Sequence, residues 1–307
     1  MVKVLVATDK PFASVAIDSI RKIVEESGFE FILLEKYKDA ADLLKAVAEV
    51  DALIVRSDLV TREVMEAGKN LKIVVRAGTG VDNIDLVAAT EHHLVVMNTP
   101  GQNSNAVAEL TLGMMVYMAR GMFNGKSGSE LMGKTLGLYA FGNVGKRVAV
   151  IARGFGMEVF AYDPNVSNDV FEKMGATRLS SMEELFSRCQ YVSLHVPATA
   201  ETKNSINYEL LSKMPAGAVL VNTARKEVVN ETDLLRFFAD RSDFVYIADV
   251  TPDCSAEIQE KYAGRFFFTP KKMGAQTEEA NINAGIAAAK QIKDFFEKGD
   301  VTFKVNK

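Results

Sequence analysis

The chain has 307 residues, of which 48% are hydrophobic and 25% charged, and its formal net charge is −4. This composition is typical of a globular protein long enough for two domains, and the small net charge argues against a nucleic-acid or anionic-membrane surface. No apolar run approaches the roughly 18 residues that span a bilayer. Two cysteines give neither a disulfide framework nor a zinc-ligand spacing, and the N-terminus does not resemble a signal peptide. We therefore expect a cytoplasmic protein without a metal site.

Short β-branched runs alternate with amphipathic segments from the first residue onward. The first series predicts strands at 2–7, 31–34, 52–55 and 71–75, separated by helices at 14–26, 40–47 and 61–67. The second series predicts strands at 136–141, 158–162, 191–194, 218–221, 245–247 and 266–268. Strands of four to six residues with helices between them indicate parallel sheets covered on both faces.

Two longer helical patterns, at 105–118 and 277–297, lie outside these series. The simplest architecture uses them to link two doubly wound α/β domains. In that arrangement residues 1–100 and 283–307 form the first domain, and residues 101–282 form a nucleotide-binding domain.

A dinucleotide-type turn follows the strand at 136–141. Gly142 and Gly145 keep the second and third positions of G-x-G-x-x-G, and Ala140 occupies the first, where alanine serves if its φ is negative. Asp163 ends the next strand, eighteen residues after Gly145. A carboxylate there would bond the ribose hydroxyls and repel a 2′-phosphate, so the pattern favours NAD over NADP. A glycine turn that binds no ligand is the alternative.

Several segments recur in the order and at the spacing of one enzyme family. They are IVRS (54–57), VRAGTGVDNID (75–85), NTPGQN (98–103), VAEL (107–110), the nucleotide turn, LHVP (194–197), NTAR (222–225) and ADV (248–250). On these segments the chain resembles the D-isomer-specific 2-hydroxyacid dehydrogenases, and among them the short D-3-phosphoglycerate dehydrogenases with lysine in place of the catalytic histidine. The resemblance implies a flavodoxin-like substrate-binding domain and a Rossmann NAD-binding domain.

The resemblance also assigns functions to individual residues. Arg225 matches the arginine that binds the substrate carboxylate, Asp249 an aspartate near the nicotinamide amide, and His195 a histidine on the cofactor side. A guanidinium suits the first role because it is always charged and binds carboxylates in a two-pronged fork. The implied NAD ligands are Gly142, Asn143, Val144, Gly145, Asp163, His195, Val196, Pro197, Thr202, Thr223, Ala224, Asp249, Gly274 and Ala275.

Arg56 and Arg76 each follow an apolar strand, where parallel sheets gather ligand contacts. Phosphoglycerate dehydrogenases place basic groups near these positions for the substrate phosphate and carboxylate. A structural ion pair at the domain seam is the alternative role. The resemblance completes the substrate pocket with Ser57, Ala77, Gly78, Asn103 and Lys271. The implied reaction is NAD-dependent oxidation of D-3-phosphoglycerate to 3-phosphohydroxypyruvate, the first step of serine biosynthesis.

The sequence departs from the family at the histidine–glutamate pair that transfers the proton. Cys254 stands where the glutamate is expected, no histidine follows His195, and Lys272, or with another alignment Lys271, replaces the catalytic histidine. A carboxylate would raise the pKa of a lysine, which starts near 10.4, whereas cationic neighbours and desolvation lower it. We therefore expect neutral Lys272 to act as the base with Arg225 beside it. An inactive site with two solvated lysines is the alternative.

Three further expectations concern function and assembly. A glyoxylate or hydroxypyruvate reductase is the nearest alternative enzyme, and a non-catalytic NAD-sensing protein is an alternative of another class. A homodimer built on the helix at 105–118 is expected, although residues 120–133 are shorter than the partner-embracing arm of typical relatives. The sequence ends at Lys307. We expect no feedback inhibition by serine through an appended regulatory domain.

Overall fold

The computed structural model describes all residues from 1 to 307. It divides into two compact units, Met1–Asn103 with Gln276–Lys307, and Ser104–Ala275. The second boundary lies seven residues before the expected one, because the helix Glu278–Lys298 contributes its buried face to the core of the first unit along its whole length. Thr277 caps the N-terminus of this helix by accepting the Ala280 N–H, and Gly299, with φ of 68°, ends it.

The first unit is a five-stranded parallel sheet. Its strands, in chain order, are β1 (Lys3–Thr8), β2 (Glu30–Glu35), β3 (Ala52–Val55), β4 (Ile73–Arg76) and β5 (Val95–Asn98). Their order in the sheet is β2-β1-β3-β4-β5, the flavodoxin-like order. The helices of this unit are α1 (Ser14–Glu26), α2 (Ala40–Val47), α3 (Arg62–Ala67), α4 (Leu86–Glu91) and α12 (Glu278–Lys298).

Both faces of this sheet are buried. Val4 and Val6 of β1 belong to one apolar cluster, with α1 and α12, whereas Leu5 and Ala7 belong to a second cluster with α2, α3 and α4. Alternate residues of a strand point to opposite faces, so these two clusters are the two helix layers of a doubly wound domain. The C-terminal tail returns to this unit as expected, because the Val305 N–H donates to the Val96 carbonyl at 2.8 Å.

The second unit is a seven-stranded parallel sheet. Its strands are β6 (Thr135–Tyr139), β7 (Glu158–Tyr162), β8 (Thr177–Arg178), β9 (Tyr191–Leu194), β10 (Val219–Asn222), β11 (Val245–Ala248) and β12 (Phe266–Phe268). Their order in the sheet is β12-β11-β10-β9-β6-β7-β8. From β6 the chain adds β7 and β8 on one side, and it then adds β9 to β12 on the other side, so the strand order reverses between β6 and β9. In such sheets ligands bind outside the carboxyl ends of the strands, at the reversal point.

Seven helices accompany this sheet. They are α5 (Ser104–Ala119), α6 (Asn143–Gly154), α7 (Asn168–Met174), α8 (Met182–Arg188), α9 (Tyr208–Leu211), α10 (Glu231–Asp240) and α11 (Ser255–Lys261). The predicted fold class is confirmed for both units. None of the helices combines the length and hydropathy of a membrane span, and no three His, Cys, Asp or Glu side chains are grouped as a metal site would require.

Candidate active site

The dinucleotide-type turn joins β6 to α6. Alanine was expected to serve at the first position of this turn with a negative φ. This expectation was wrong, because the φ of Ala140 is +73°. A left-handed backbone costs a residue with a Cβ about 1–2 kcal/mol, and hydrogen bonds to the neighbouring strand hold it in place. The Ala140 N–H donates to the Tyr162 carbonyl at 2.9 Å, and the Phe141 N–H donates to Asp163 Oδ2 at 2.9 Å. β7 therefore fixes the shape of the turn.

Gly142 and Gly145 differ in the space around them. A Cβ on Gly145 would lie 2.5 Å from the Ala140 carbonyl oxygen, so only glycine lets α6 pack this closely on β6. A Cβ on Gly142 would meet nothing within 4 Å, and the first turn of α6 has no side-chain cap. Open space before uncapped helix N–H groups suits an anion. These residues therefore fit the pyrophosphate of a dinucleotide.

Asp163 contributes to the turn with both carboxylate oxygens. Oδ2 accepts from Phe141, and Oδ1 accepts from the Asn165 N–H at 2.9 Å. Each oxygen keeps a second lone pair, so ribose binding by Asp163 is compatible with this geometry and stays a prediction. Asn143 and Val144 begin α6 directly after Gly142.

His195 and Thr223 follow the neighbouring strands β9 and β10. His195 Nδ1 lies 3.5 Å from Thr223 Oγ1, while Nε2 is buried without a partner. Burial lowers the pKa of His195 to about 3, so the imidazole is neutral. A neutral ring with one orphaned nitrogen is a polar group that a bound molecule would satisfy, which agrees with the expected cofactor-side position.

The segment after His195 closes on itself. Val196 is buried and Pro197 exposed. Thr202 Oγ1 accepts the Thr199 N–H at 2.8 Å and fastens the turn between them. The structure thus gives Thr202 a structural contact, and its binding role stays a prediction.

Arg225 and Lys272 share one acceptor. Arg225 Nη1 and Lys272 Nζ each donate to the Ala224 carbonyl oxygen at 3.0 Å, which keeps the two nitrogens within about 6 Å of each other. Buried Asn222 shapes this turn, because its amide donates to the Arg225 carbonyl and accepts the Ala224 N–H, both at 3.0 Å. The structure therefore brings the two expected catalytic side chains together within one unit.

Lys271 is oriented differently from Lys272. Both side chains are exposed, and the Lys271 carbonyl lies 2.8 Å from the Thr269 hydroxyl, whose single proton it shares with Asp249 Oδ1. Of the two lysines that the alignments left open, only Lys272 points its amine at the Arg225 turn.

Asp249 lies at the carboxyl end of β11 and is fully buried. Its oxygens accept the Thr269 hydroxyl at 2.9 Å and the backbone N–H groups of Met273 and Gly274 at 2.6 and 2.7 Å. These partners lie in the loop that carries the lysines, and Oδ2 keeps a second lone pair, so the expected nicotinamide contact of Asp249 stays a prediction. Ala275 is half-buried at the end of this loop.

Cys254 is held by a residue that sequence reasoning missed. The Glu231 carboxylate accepts the backbone N–H groups of Cys254 and Asp253 at 2.7 and 2.9 Å. Burial and the Glu231 charge raise the pKa of the Cys254 thiol to about 12. The thiol is protonated at neutral pH and is no nucleophile. No sequence signal identified Glu231, because its partners lie more than twenty residues away.

Arg56 makes several hydrogen bonds within the first unit. Its Nη1 donates to the carbonyls of Lys10 and Pro11, both at 3.0 Å, and its Nη2 donates to Asn281 Oδ1 at 2.7 Å. The guanidinium also lies 5.0 Å over the ring of Phe12. Burial lowers the pKa of Arg56. Three of its five donors are thus used internally, which supports a structural role and leaves fewer donors for a phosphate.

Arg76 lies across the end of the same sheet. Its Nε donates to the Arg56 carbonyl at 2.9 Å, and a Cβ on Gly78 would lie 1.8 Å from its Nη1. Gly78 is therefore required for the guanidinium to lie over the backbone. The remaining predicted pocket residues are exposed Ser57, buried Ala77 and Asn103, which accepts the Thr79 hydroxyl at 3.1 Å.

Comparison with known proteins shows the family to which this chain is similar. Residues 109–264 match the D-isomer specific 2-hydroxyacid dehydrogenase, NAD binding domain. The chain is 37% identical over 95% of its length to the D-3-phosphoglycerate dehydrogenase of Methanocaldococcus jannaschii, and 39% identical over 86% to the hydroxypyruvate reductase of Thermotoga maritima. It covers 90% of the second relative but 57% of the first, so it spans little more than half of that enzyme.

A solved structure is similar over the whole chain. The crystal structure of NAD+-bound 3-phosphoglycerate dehydrogenase in Entamoeba histolytica is 49% identical, with a TM-score of 0.88, and the match covers 100% of this chain and 99% of that one. The expected family and cofactor are confirmed. The chain belongs to the D-isomer-specific 2-hydroxyacid dehydrogenases, and its second unit contains their NAD-binding domain.

Proposed function

We propose that this chain is an NAD-dependent dehydrogenase that oxidises D-3-phosphoglycerate to 3-phosphohydroxypyruvate, the first step of serine biosynthesis. The proposal rests on one observation. The Lys272 amine and the Arg225 guanidinium both donate to the Ala224 carbonyl at 3.0 Å. A proton acceptor beside a carboxylate binder is the minimum that this oxidation needs from the protein. The similarity to an NAD+-bound 3-phosphoglycerate dehydrogenase supports the choice of substrate.

The chain's own residues have separate tasks in this reaction. Arg225 orients the substrate carboxylate through a two-pronged pair of hydrogen bonds. Lys272 accepts the hydroxyl proton at Nζ, and the neighbouring guanidinium helps because it penalises a second positive charge. The turn at Gly142–Gly145, with Asp163 and His195, would hold NAD, which when bound accepts the hydride from the carbinol carbon. His195, whose imidazole is neutral and whose Nε2 is buried, takes no part in proton transfer.

Replacing Lys272 with methionine tests the base directly. Because a positioned general base contributes about 10²–10⁴-fold, K272M should lower turnover at least about 100-fold. NADH formation from D-3-phosphoglycerate, with the product trapped, measures turnover, and NADH fluorescence titration should give a near-parental Kd. K271M is the matched comparison and should cost far less. Parental turnover in K272M, or a larger loss in K271M, would refute the assignment.

The substrate phosphate separates the two candidate enzymes. We propose Arg76 as its main ligand from the first unit, with Arg56 contributing the donors that it does not use internally. R76Q should reduce kcat/KM for D-3-phosphoglycerate by about 10- to 100-fold, in line with loss of one charged hydrogen-bonded pair, and change that for glycerate little. The Thermotoga maritima relative motivates the alternative, a hydroxypyruvate reductase. Equal losses on both substrates would favour that alternative.

A third candidate function is that of a non-catalytic NAD-sensing protein. Nanomolar-to-micromolar NADH binding without turnover of either substrate, in parent and K272M alike, would favour it. The retained pairing of Arg225 with Lys272 argues against it, because sensing alone needs neither a carboxylate binder nor a base.

We further propose that the chain is a cytoplasmic homodimer assembled on α5. Phe123 and Met132, in the segment that follows α5, are 66% and 70% exposed. Exposed large apolar side chains are favourable to bury in a partner interface. Sedimentation velocity should give a dimer that weakens in the double variant F123D/M132D. A purely monomeric parent would exclude this assembly.

A further inference from the structure

We propose that Asn281, near the N-terminus of α12, is a positioning residue that sets the preference for a phosphorylated substrate. Its neutral amide orients the Arg56 guanidinium without neutralising it, so that the positive charge of Arg56 remains for the phosphate. This inference rests on the proposed function, which gives Arg56 a part in phosphate binding. It goes beyond that function by naming the residue that controls the guanidinium.

Arg56 is a half-buried cation whose direct partners are all neutral. Its Nη1 donates to the backbone carbonyls of Lys10 and Pro11, and its Nη2 donates to Asn281 Oδ1 at 2.7 Å. The guanidinium carbon also lies 5.0 Å from the centroid of the Phe12 ring. Carbonyl oxygens, an amide oxygen and an aromatic ring orient a guanidinium, but they leave its net charge in place.

The acidic side chain closest to Arg56 in the sequence does not pair with the guanidinium. Asp58 Oδ1 accepts the Tyr37 hydroxyl at 2.6 Å and the Asp9 N–H at 2.7 Å, and Oδ2 reaches only the backbone N–H of Arg56, at 3.4 Å. Burial lowers the pKa of Arg56 more than the charges of Asp58 and Asp9 raise it. The ion pair considered from the sequence is thus not formed within this unit, and a bound anion would stabilise the charge.

An amide suits position 281 better than a carboxylate would. Asn281 Nδ2 donates to the Thr277 carbonyl at 2.8 Å, which turns Oδ1 toward Arg56. A carboxylate cannot donate to that carbonyl, and it would pair with the guanidinium and cancel the charge that a phosphate needs. Nη1 uses both of its N–H groups and Nη2 uses one, so the Nε–H and one N–H of Nη2 remain as donors for a ligand.

The variants N281D and N281A separate the charge of Arg56 from its position. Aspartate has the shape of asparagine and adds a carboxylate, whereas alanine removes the contact and leaves the charge unchanged. We define the specificity ratio as kcat/KM for D-3-phosphoglycerate divided by kcat/KM for glycerate. N281D should lower this ratio at least about tenfold, mainly through the KM for D-3-phosphoglycerate, because one charged hydrogen-bonded pair is lost. N281A should lower it less than about fivefold, since the two bonds to Nη1 still hold Arg56.

Asn283 offers a matched control on the same helix. Its side chain is exposed, and N283D adds the same negative charge to α12 away from the Arg56 contact. The specificity ratio of N283D should stay within about twofold of the parent, and a loss equal to that of N281D would overturn the inference. N281D should melt within about 2 °C of the parent, because an acidic residue near a helix N-terminus and a new ion pair are both favourable.

Equilibrium binding supplies a readout that needs no turnover. Calorimetry measures the Kd of D-3-phosphoglycerate for the NADH-saturated protein, in which the reduced cofactor cannot accept a hydride. This Kd should rise at least about tenfold in N281D and less than about fivefold in N281A. A merely structural contact predicts the reverse order, because the ion pair in N281D would hold Arg56 better than alanine does.

The outcomes distinguish this inference from the proposed function. If the parent oxidises D-3-phosphoglycerate and N281D keeps the parental ratio and Kd, Asn281 does not control Arg56 and the proposed function stands. If N281A loses as much as N281D or more, the contact is structural and the inference is overturned. If the parent binds D-3-phosphoglycerate without oxidising it, the proposed function fails, while the Kd values of the two variants still decide the inference.

Discussion

Alanine at each glycine of the dinucleotide turn separates the requirements of folding from those of binding. In G145A the new Cβ would lie 2.5 Å from the Ala140 carbonyl oxygen, a backbone atom that cannot rotate away. Overpacking of this kind costs about 1–3 kcal/mol. For a unit of this size, about 2–4 °C of melting temperature accompany each kcal/mol. G145A should therefore melt about 2–12 °C below the parent without nucleotide.

G142A is the matched variant with the same added methyl group. Its Cβ would meet nothing within 4 Å, and the φ of −75° suits alanine. The small loss at the helix cap and the gain from a less flexible unfolded chain roughly cancel, so stability should stay within about 0.5 kcal/mol of the parent. If a pyrophosphate lies against Gly142, the methyl group takes its space, and the NADH Kd should rise at least about tenfold.

Calorimetry without nucleotide and NADH fluorescence titration give the two measurements. The expected pattern is that G145A is unstable and G142A is stable but binds poorly. A parental NADH Kd in G142A would refute the placement of the phosphate before α6. A parental melting temperature in G145A would show that α6 can move away from β6 at little cost.

Three further predictions concern the φ of Ala140 and the pKa values of the two cysteines and of His195. A140G should raise stability by about 0.5–1 kcal/mol, because release from φ of +73° outweighs the entropy that glycine adds, and urea unfolding measures it. Burial raises the pKa of Cys189 and Cys254 to about 12, so at pH 8 about one thiol in ten thousand is ionised and a disulfide reagent should react only after unfolding. The pKa of His195 is lowered to about 3, so below pH 6.5 the unfolded chain binds a proton that the folded protein does not. The free energy of unfolding therefore falls as the pH decreases from 6.5 toward 3. Between pH 7 and 4 the parent should lose about 3 kcal/mol more than H195N, and equal losses would contradict the buried neutral ring.

Much of the fold was predictable because local patterns and tertiary burial agree. The bounds of α1 and α2 match the predicted helices, since each has one buried face at helical spacing. β8 has two exposed residues, and β5 is a four-residue run that periodicity cannot distinguish from a buried helix segment. Neither was predicted as a strand. The second domain boundary also depended on long-range packing of α12, which no local pattern reports.

The predicted site residues fall into two groups. Residue types with one dominant chemistry, such as Arg225 at a strand end, lie where the sequence indicated. Aspartates were harder to assign, because an acceptor can serve a ligand or a backbone donor equally well. Asp163 meets Phe141 from 22 residues away, and Asp249 meets Gly274 from 25 residues away. Only the folded chain shows which donors reach each carboxylate.

The replacement of histidine by lysine and the loss of the glutamate are chemically consistent with each other. An imidazole base benefits from a carboxylate that stabilises its charged form, whereas a lysine base needs its charged form destabilised. In this chain the Glu231 carboxylate is bonded to two backbone N–H groups and faces the Cys254 thiol, and Asp249 is bonded to the loop. The acceptor that Lys272 shares with Arg225 is instead a neutral carbonyl. A carbonyl orients the amine without adding negative charge.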